Sequence, residues 1–382
     1  MKSYPSNAID NLSTVQTLLV HACLATNAAD REHYVRAWEA TVLMEELDFS
    51  SYRLVPYFLH KNQQDGIACR YDKRLKVIYK HWWLRTRHIQ NELRKVHGAL
   101  LGAGIEVAVI KGAALQSHYA QPELRAMADF DLLVRRDDLH TAIDILGELG
   151  FVPKPVQMAT LEAAPGLFMD FFHAISWTHR SHDTFIDLHW RVGSRCSEQF
   201  TEALWRNLVS CTAVAGGRKP ALAFEVFMVL IHAMDSSSKD NLNWIIDIAV
   251  MGDRLDDRIW EEARQLAVWE KKADLFDYAC SVLLQFGVAV PDPGHVRKPR
   301  RLSAEPMERG GILRELRNIP RRAGTLCYTV GRLFPHASAL EKGRQLLRRV
   351  QLFWIARRVR RQVTSPTAPR SPQSSHAGPL AK

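Results

Sequence analysis

The spacing of hydrophobic residues divides the chain into two helical regions with a short strand-like region between them. Before about residue 100, segments such as TVQTLLVHACL and WWLRTRHIQNELRKVHGALLGAG place apolar residues three and four positions apart, the period of an amphipathic helix. The same period returns between about 221 and 288, in ALAFEVFMVLIHAM, LNWIIDIAVMG and IWEEARQLAVW. These patterns predict helices on both sides of the central region.

The central region changes to patterns that are typical of strands. EVAVIKG is a short β-branched run that breaks at a glycine, and ADFDLLV is a second apolar run. FFHAISWTH and DTFIDLHWRV alternate in polarity, and the RSH between them predicts a hairpin turn. We therefore predict strands near 107–110, 129–134, 171–178 and 184–191, with helices in AALQSHYA and DDLHTAIDILGELGF.

This order of elements predicts an α+β fold, in which a small mixed β-sheet core is flanked by N-terminal and C-terminal helical segments. The tail has the Pro/Ser-rich composition of a disordered segment. The predicted divisions are an N-terminal helical region (1–104), the α/β core (105–215), a C-terminal helical region (216–290), a basic helical extension (291–363) and the disordered tail (364–382).

Positive charge is concentrated at the C-terminus. Residues 291–382 contain 20 Lys/Arg and 5 Asp/Glu, so the chain before them has an acidic excess despite the net charge of +10. The charge therefore does not indicate nucleic-acid binding by the core, and no nucleic-acid partner is required. We expect the basic helix Glu341–Val363 to dock within the chain or on a partner protein, and an anionic membrane surface is the alternative.

The sequence predicts a cytoplasmic protein. It has no run of 18 apolar residues and no signal-peptide pattern at its start. Its six cysteines are scattered without a CxxC pair, which favours free thiols in a reducing compartment. Peripheral membrane attachment is expected only if the basic helix binds lipid.

Two aspartates lie close together in the second predicted strand. Asp129 and Asp131 share one face because strand side chains alternate, and their separation along the strand is about 6.6 Å. Two carboxylates at that distance repel by about 2.5 kcal/mol at an effective dielectric constant near 20. A divalent cation would turn this repulsion into binding energy, and hard oxygen ligands suit Mg²⁺. The alternative is a pair of solvated acids at a strand end.

Three neighbouring residues strengthen the metal interpretation. Lys111 and Gly112 end the first strand at the start of a helix, a turn that can cradle phosphate, although an ordinary turn with a solvated lysine has the same pattern. Asp187 alternates with apolar residues in FIDLHW and is a third candidate, as a metal ligand or a general base. An ion pair of Asp187 with Arg180 or Arg191 is the structural alternative.

Two further residues are candidate ligand contacts. Arg125 precedes the aspartate strand, where its planar guanidinium suits a phosphate, or it forms a salt bridge to Glu123 or an aspartate. His189 shares a strand face with Asp187 and would orient it or contact substrate, although a buried structural histidine is the more common case. For the histidines at 173, 179 and 182 we predict no zinc site, since their spacing matches no ligand pattern and no cysteine is near.

Taken together, these motifs resemble the uncharacterised nucleotidyltransferase family of bacteria, within the polymerase-β-like superfamily. The similarity covers roughly residues 30–270 and includes KG, R-x-x-x-D-x-D-L-L-V, I-D-L-H-W and the helical segment LIHAMDSSSKDNLNWIIDIAVM. It implies a mixed sheet in which Asp129, Asp131 and Asp187 hold one or two Mg²⁺ ions. It also implies transfer of a nucleoside monophosphate from an NTP such as ATP to an unidentified acceptor.

The chain departs from the superfamily pattern at one position. Ala113 follows Gly112, where the wider superfamily usually has a serine or a second glycine. This departure keeps two alternatives open. One is a catalytically inactive protein that binds a nucleotide or a partner, and the other is a toxin-type nucleotidyltransferase that acts on tRNA or protein.

Overall fold

The computed structural model describes residues 12–193, 196–235, 242–294 and 338–363. In this part of the chain, helices surround one mixed sheet, which confirms the predicted α+β class. The strands are β1 (Val107–Ile110), β2 (Asp129–Val134), β3 (Phe151–Pro153), β4 (Ala174–His179), β5 (Phe185–His189), β6 (Leu208–Cys211) and β7 (Gly217–Pro220). They are arranged in the order β3-β4-β5-β2-β1-β7-β6.

The helices lie on both sides of this sheet in the sequence, as the hydrophobic periodicity predicts. Before it are α1 (Thr14–Leu24), α2 (Ala28–Thr41), α3 (Phe49–Gln64) and α4 (Asp72–Gly102). Between the strands are α5 (Lys111–Leu115), α6 (Leu139–Glu148), α7 (Pro155–Ala163), α8 (Pro165–Phe171) and α9 (Glu198–Arg206). After it are α10 (Leu222–Asp235), α11 (Asn243–Met251), α12 (Asp257–Trp269), α13 (Ala273–Gln285) and α14 (Ala339–Val363).

All four predicted strands are present, and three further strands were not predicted. The strand predicted at 171–178 begins later, at Ala174, because α8 extends to Phe171. The strands β3, β6 and β7 have three or four residues each, too few for an alternating pattern to appear in the sequence. Of these, β7 has the sequence GRKP, which lacks β-branched residues and pairs with β1 through a single register position.

The pairing of β2 brings the candidate acids together. This strand is antiparallel to β1 and parallel to β5, and Asp131 lies opposite Ile110 on one side and Asp187 on the other. Neighbouring strands are about 4.8 Å apart, and directly paired residues point to the same face of the sheet. The carboxylates of Asp131 and Asp187 therefore lie side by side.

The two faces of the sheet belong to two hydrophobic cores. Phe130 and Leu132 pack with apolar residues of α4 and α6 on one face. Leu133, which points to the same face as Asp131, belongs to a larger core formed mainly by α1, α3 and α10–α13. The N-terminal and C-terminal helical regions thus share one core, and this core covers one face of the sheet. The acids lie at the end of that face.

The basic helix α14 packs against α7 and α8. Leu352 contacts Phe171 in a small buried cluster, and Arg348 Nη2 lies 2.5 Å from Asp170 Oδ2. Leu347 and Trp354 remain exposed, at 72% and 59% of their accessible surface. The helix predicted at Glu341–Val363 is therefore confirmed, while binding of a membrane or partner protein through it stays a prediction.

Two further predictions concern the location of the protein and the state of its cysteines. Within the described ranges, no helix combines the length and the apolar composition that crossing a bilayer requires. The predicted free thiols are confirmed for five cysteines, all of which are buried, while Cys327 and the predicted disordered tail lie outside the described residues. The cytoplasmic location stays a prediction.

Candidate functional site

Asp131 is the centre of a compact polar cluster at the end of β2. Its buried Oδ1 accepts a hydrogen bond from Lys111 Nζ at 2.7 Å and lies 2.9 Å from Nε2 of His189. His189 is fully buried, and its Nδ1 donates to the carbonyl oxygen of Arg191 at 3.2 Å. That bond fixes the orientation of the ring, so Nε2 faces both Asp131 and Lys111.

The environment keeps Asp131 ionised. Burial alone would raise the pKa of this carboxyl, but the Lys111 charge and the hydrogen bond with His189 outweigh it and hold the pKa well below its usual range. Burial likewise opposes the charge of Lys111, and the carboxylates of Asp131 and Asp187 overcome that effect and raise the pKa of the lysine. Lys111 and Asp131 therefore form a charged pair inside the protein.

Lys111 is held in an unusual backbone conformation. Its φ of 51° lies in the left-handed region, which costs a non-glycine residue about 1 kcal/mol or more. The residue stands where β1 turns directly into α5, and its side chain extends towards Asp131. In the described structure the lysine thus contacts an acid of the site, and its predicted contact with phosphate stays a prediction.

Asp187 is half-buried and lies beside this pair. Neither an ion pair with Arg180 nor one with Arg191 forms, since Arg191 instead donates to the carbonyl oxygens of Asp170 and Phe172. Across the described residues, no side chain or backbone group donates a hydrogen bond to the Asp187 carboxylate. One ligand atom each from Asp131, Asp187 and His189 lie within 4.8 Å of one another, close enough to share one metal ion.

Asp129 lies on the same strand face as Asp131, at the exposed end of β2. Desolvation by the surrounding protein and the charges of Asp131 and Asp187 raise the pKa of its carboxyl to about 6. Because the residue as a whole is exposed, solvent access reduces the desolvation part of this shift, and we attribute more of it to repulsion between the acids. Asp129 does not belong to the group of residues whose ligand atoms lie within 4.8 Å of one another. Its role as a metal ligand stays a prediction.

Arg125 is held by an acid from a distant helix. Its Nε and Nη2 donate to the two carboxylate oxygens of Asp247 in α11 at 2.7 and 2.9 Å, and the hydroxyl of Tyr119 donates to the same acid at 2.7 Å. The remaining nitrogen, Nη1, lies only 2.7 Å from where a side-chain carbon on Gly112 would stand. Gly112 is therefore required for close approach of the guanidinium, a reason that its sequence pattern did not indicate.

His173 is a neighbour of the site that sequence reasoning missed. Its ring lies 5.2 Å from the ring of His189, between centroids. Burial, followed by the positive charges around it, holds the pKa of His173 well below its usual value, so the ring is neutral. The antiparallel register of β4 and β5 pairs Ala174 with His189, and that pairing would have placed His173 here.

The mixed sheet with acids on two paired strands agrees with the arrangement that the resemblance implied. A model of the family described as "Uncharacterised nucleotidyltransferase" matches residues 50–279, which is more than half of the chain. The chain therefore belongs to this nucleotidyltransferase family, and with it to the transferases. Among curated proteins, none matches the chain.

Proposed function

We propose that the protein is a Mg²⁺-dependent nucleotidyltransferase that transfers a nucleoside monophosphate from an NTP to an acceptor. The observation that carries the proposal is the register of β2 and β5, which sets Asp131 beside Asp187 in a member of this family. Among the described residues, Asp187 has no hydrogen-bond donor. An acid without a donor inside a partly desolvated site is costly unless a cation or a substrate proton neutralises it.

The residues present fit a Mg²⁺ ion. Asp129, Asp131 and Asp187 supply carboxylate oxygens, the ligand type that Mg²⁺ prefers. The nitrogen of His189 is already directed at Asp131 Oδ1 and at Lys111, so this ring orients the aspartate in our proposal. When bound, the ion would neutralise negative charge on the phosphates and on the leaving pyrophosphate.

In the proposed reaction, an acceptor oxygen forms a bond to the α-phosphorus of the NTP. The bond between the α-phosphorus and its bridging oxygen to the β-phosphate breaks, and pyrophosphate leaves with that electron pair. Asp187 would accept the proton of an acceptor hydroxyl, because its carboxylate has no hydrogen-bond donor among the described residues. Lys111 and His189 would hold Asp131 in place through the contacts already described.

The phosphates would bind near the Lys111–Gly112 turn. The guanidinium of Arg125 approaches Gly112 there, while Asp247 fixes its orientation from the other side. A positive side chain that is held in place before the ligand arrives loses little entropy on binding. We propose that the substrate binds between this turn and α10–α11.

A binding-only role is a second candidate, and two observations favour it. Ala113 is fully buried and offers no hydroxyl to a triphosphate, and the Lys111 ammonium already neutralises Asp131. A protein of this kind would bind a nucleotide or a partner without releasing pyrophosphate. Product analysis separates the two roles, and a toxin-type activity would appear as growth arrest on expression.

The first experiment is a thermal-shift titration with each of the four NTPs, with Mg²⁺ or with EDTA. A ligand at about 100 times its Kd stabilises the native state by about 2.7 kcal/mol, which is visible as a raised Tm. We expect one or more NTPs to stabilise the wild type only with Mg²⁺, and Asp187→Asn to lose this response.

Pyrophosphate release then tests transfer itself. Asp137→Asn, at an exposed aspartate just before α6, is the matched control and should behave as wild type. An NTP response that survives in Asp187→Asn at full size would contradict the proposed site. A response without pyrophosphate release in the presence of cell extract as a source of acceptors would support the binding-only role.

A further inference from the structure

A second polar cluster lies between α4 and the turn that joins β4 to β5. His88 and Glu92 are one helical turn apart on α4, so their side chains project from the same face of the helix. His182 reaches them from the turn, although it is 94 residues away from His88 in the sequence. One ligand atom from each of the three residues lies within 4.8 Å of the others.

The distances between the two imidazoles suit a shared metal ion. Nε2 of His88 lies 3.2 Å from Nδ1 of His182. Two nitrogens bound to one tetrahedral Zn²⁺ at 2.0–2.1 Å would be separated by about 3.3 Å. The two rings are therefore already spaced as ligands of one ion.

The surroundings of these rings are polar. The buried Thr184 hydroxyl lies 3.0 Å from both imidazole nitrogens, and it can accept a hydrogen bond from one and donate to the other. Glu92 is buried, and its partners are the exposed Lys95 at 2.7 Å and His182 Nε2 at 3.8 Å. A cation bound between His88, Glu92 and His182 would neutralise this buried carboxylate directly.

His179 supports the position of His182 without being a ligand itself. The two rings are stacked with centroids 3.5 Å apart. Nδ1 of His179 accepts from the backbone of Ser181, and its Nε2 donates to the carbonyl oxygen of Leu149 at 3.2 Å. Both nitrogens thus have hydrogen-bond partners, and we do not include His179 among the ligands.

We propose that His88, Glu92 and His182 bind a Zn²⁺ ion, with water as the fourth ligand. Two imidazoles and one carboxylate are a ligand set that Zn²⁺ uses, and imidazole is a poor choice for Mg²⁺. This site is separate from the acidic site, and it stands or falls independently of the proposed transferase activity.

The position of the ion indicates what it does. Thr184 immediately precedes β5, the strand that carries Asp187 and His189. On the same side of α4, Arg85 donates to Asp183 at 2.6 Å and to the carbonyl oxygen of Ala128 at 3.1 Å. Zinc would add a stronger link between α4 and the hairpin, and so hold β5 in its register beside β2.

The test measures zinc bound to the full-length protein after removal of any polyhistidine tag. The background is Asp187→Asn, which removes one ligand of the acidic site and so weakens zinc binding there. We expect this parent to retain about one Zn²⁺ per chain after EDTA treatment and reloading, and Co²⁺ to give the visible absorption of a tetrahedral site. Zinc at 100 times its Kd should raise Tm by about 3 °C.

His88→Asn and His182→Gln, each added to this background, should weaken zinc binding by at least about tenfold. His140→Gln is the matched control, because it removes an exposed imidazole of α6 that does not belong to the cluster. Circular dichroism and Tm without metal establish that the variants are folded. Zinc binding by His88→Asn and His182→Gln at the level of the parent would overturn the proposal, and so would a parent that binds no zinc.

Discussion

Asp247 and Asp187 show how differently one residue type is used in two regions of this protein. Asp247 is buried in α11, where Arg125 and Tyr119 together donate three hydrogen bonds to it. Asp187 is half-buried at the sheet edge, where no described residue donates to its carboxylate. A fully paired acid stabilises the fold, whereas an unpaired acid beside a second acid is available for a ligand.

The largest effect should come from the paired acid. Asp247→Ala leaves the buried guanidinium of Arg125 without its partner, which costs about 3–5 kcal/mol. Chemical denaturation of the wild type and the variant would measure this loss in the free energy of unfolding. Asp247→Asn keeps an oxygen acceptor and should lose less, so equal losses in the two variants would mean that the charge pair is not the cause.

The unpaired acid should show the opposite balance between stability and function. Asp187→Asn is expected to lower nucleotidyl transfer by about 10²–10⁴-fold, the range for loss of a general base. Its Tm should stay close to that of the wild type or rise, because the variant removes a negative charge that faces Asp131 and Asp129. A large fall in Tm would show that Asp187 has a structural role like that of Asp247.

The contribution of Asp131 to stability should lie between those of Asp247 and Asp187, since one lysine compensates its charge. Lys111→Met removes a hydrogen bond between charged groups and should cost about 1.5–3 kcal/mol at pH 7. The exposed Lys76→Met in α4 is the control and should have little effect.

The cost of Lys111→Met should depend on pH with a definite sign. The pKa of Asp131 is depressed in the folded wild type, so its stabilising contribution is present above the unfolded-state pKa of about 3.9 and is lost as the pH falls below it. The difference in free energy of unfolding between wild type and variant should therefore shrink as the pH falls from about 4 towards 2. A difference that stays constant over this range would contradict the assignment of the charge pair.

The sequence predicted the features of the site that depend on neighbours along the chain. The alternation in ADFDLLV and FIDLHW places Asp129, Asp131 and Asp187 on strands, each facing away from its apolar neighbours. It could not predict that Arg125 pairs with Asp247, because 122 residues separate them and the choice among many acids is made by the packing of α11.

Long sequence separation also explains why the sequence did not predict the cluster of His88, Glu92 and His182. His88 and Glu92 have helical spacing, but surface residues with that spacing are common, and only the hairpin turn brings His182 to them. Lys111 is a related case, since its left-handed backbone conformation is typical of glycine and directs the side chain to an acid within the sheet. Register and long-range packing decide these contacts, and a single sequence does not contain them.

The smallest effect should come from an acid that is paired on the surface. The pair between Asp183 and Arg85 joins the hairpin turn to α4, and the side chain of Asp183 is 67% exposed. Solvent screens such a pair, so Asp183→Ala should change the free energy of unfolding by about 0.2–1 kcal/mol. Denaturation at low and high salt would measure it, and the difference from wild type should shrink at high salt. A loss as large as that of Asp247→Ala would mean that burial does not separate structural from surface acids in this protein.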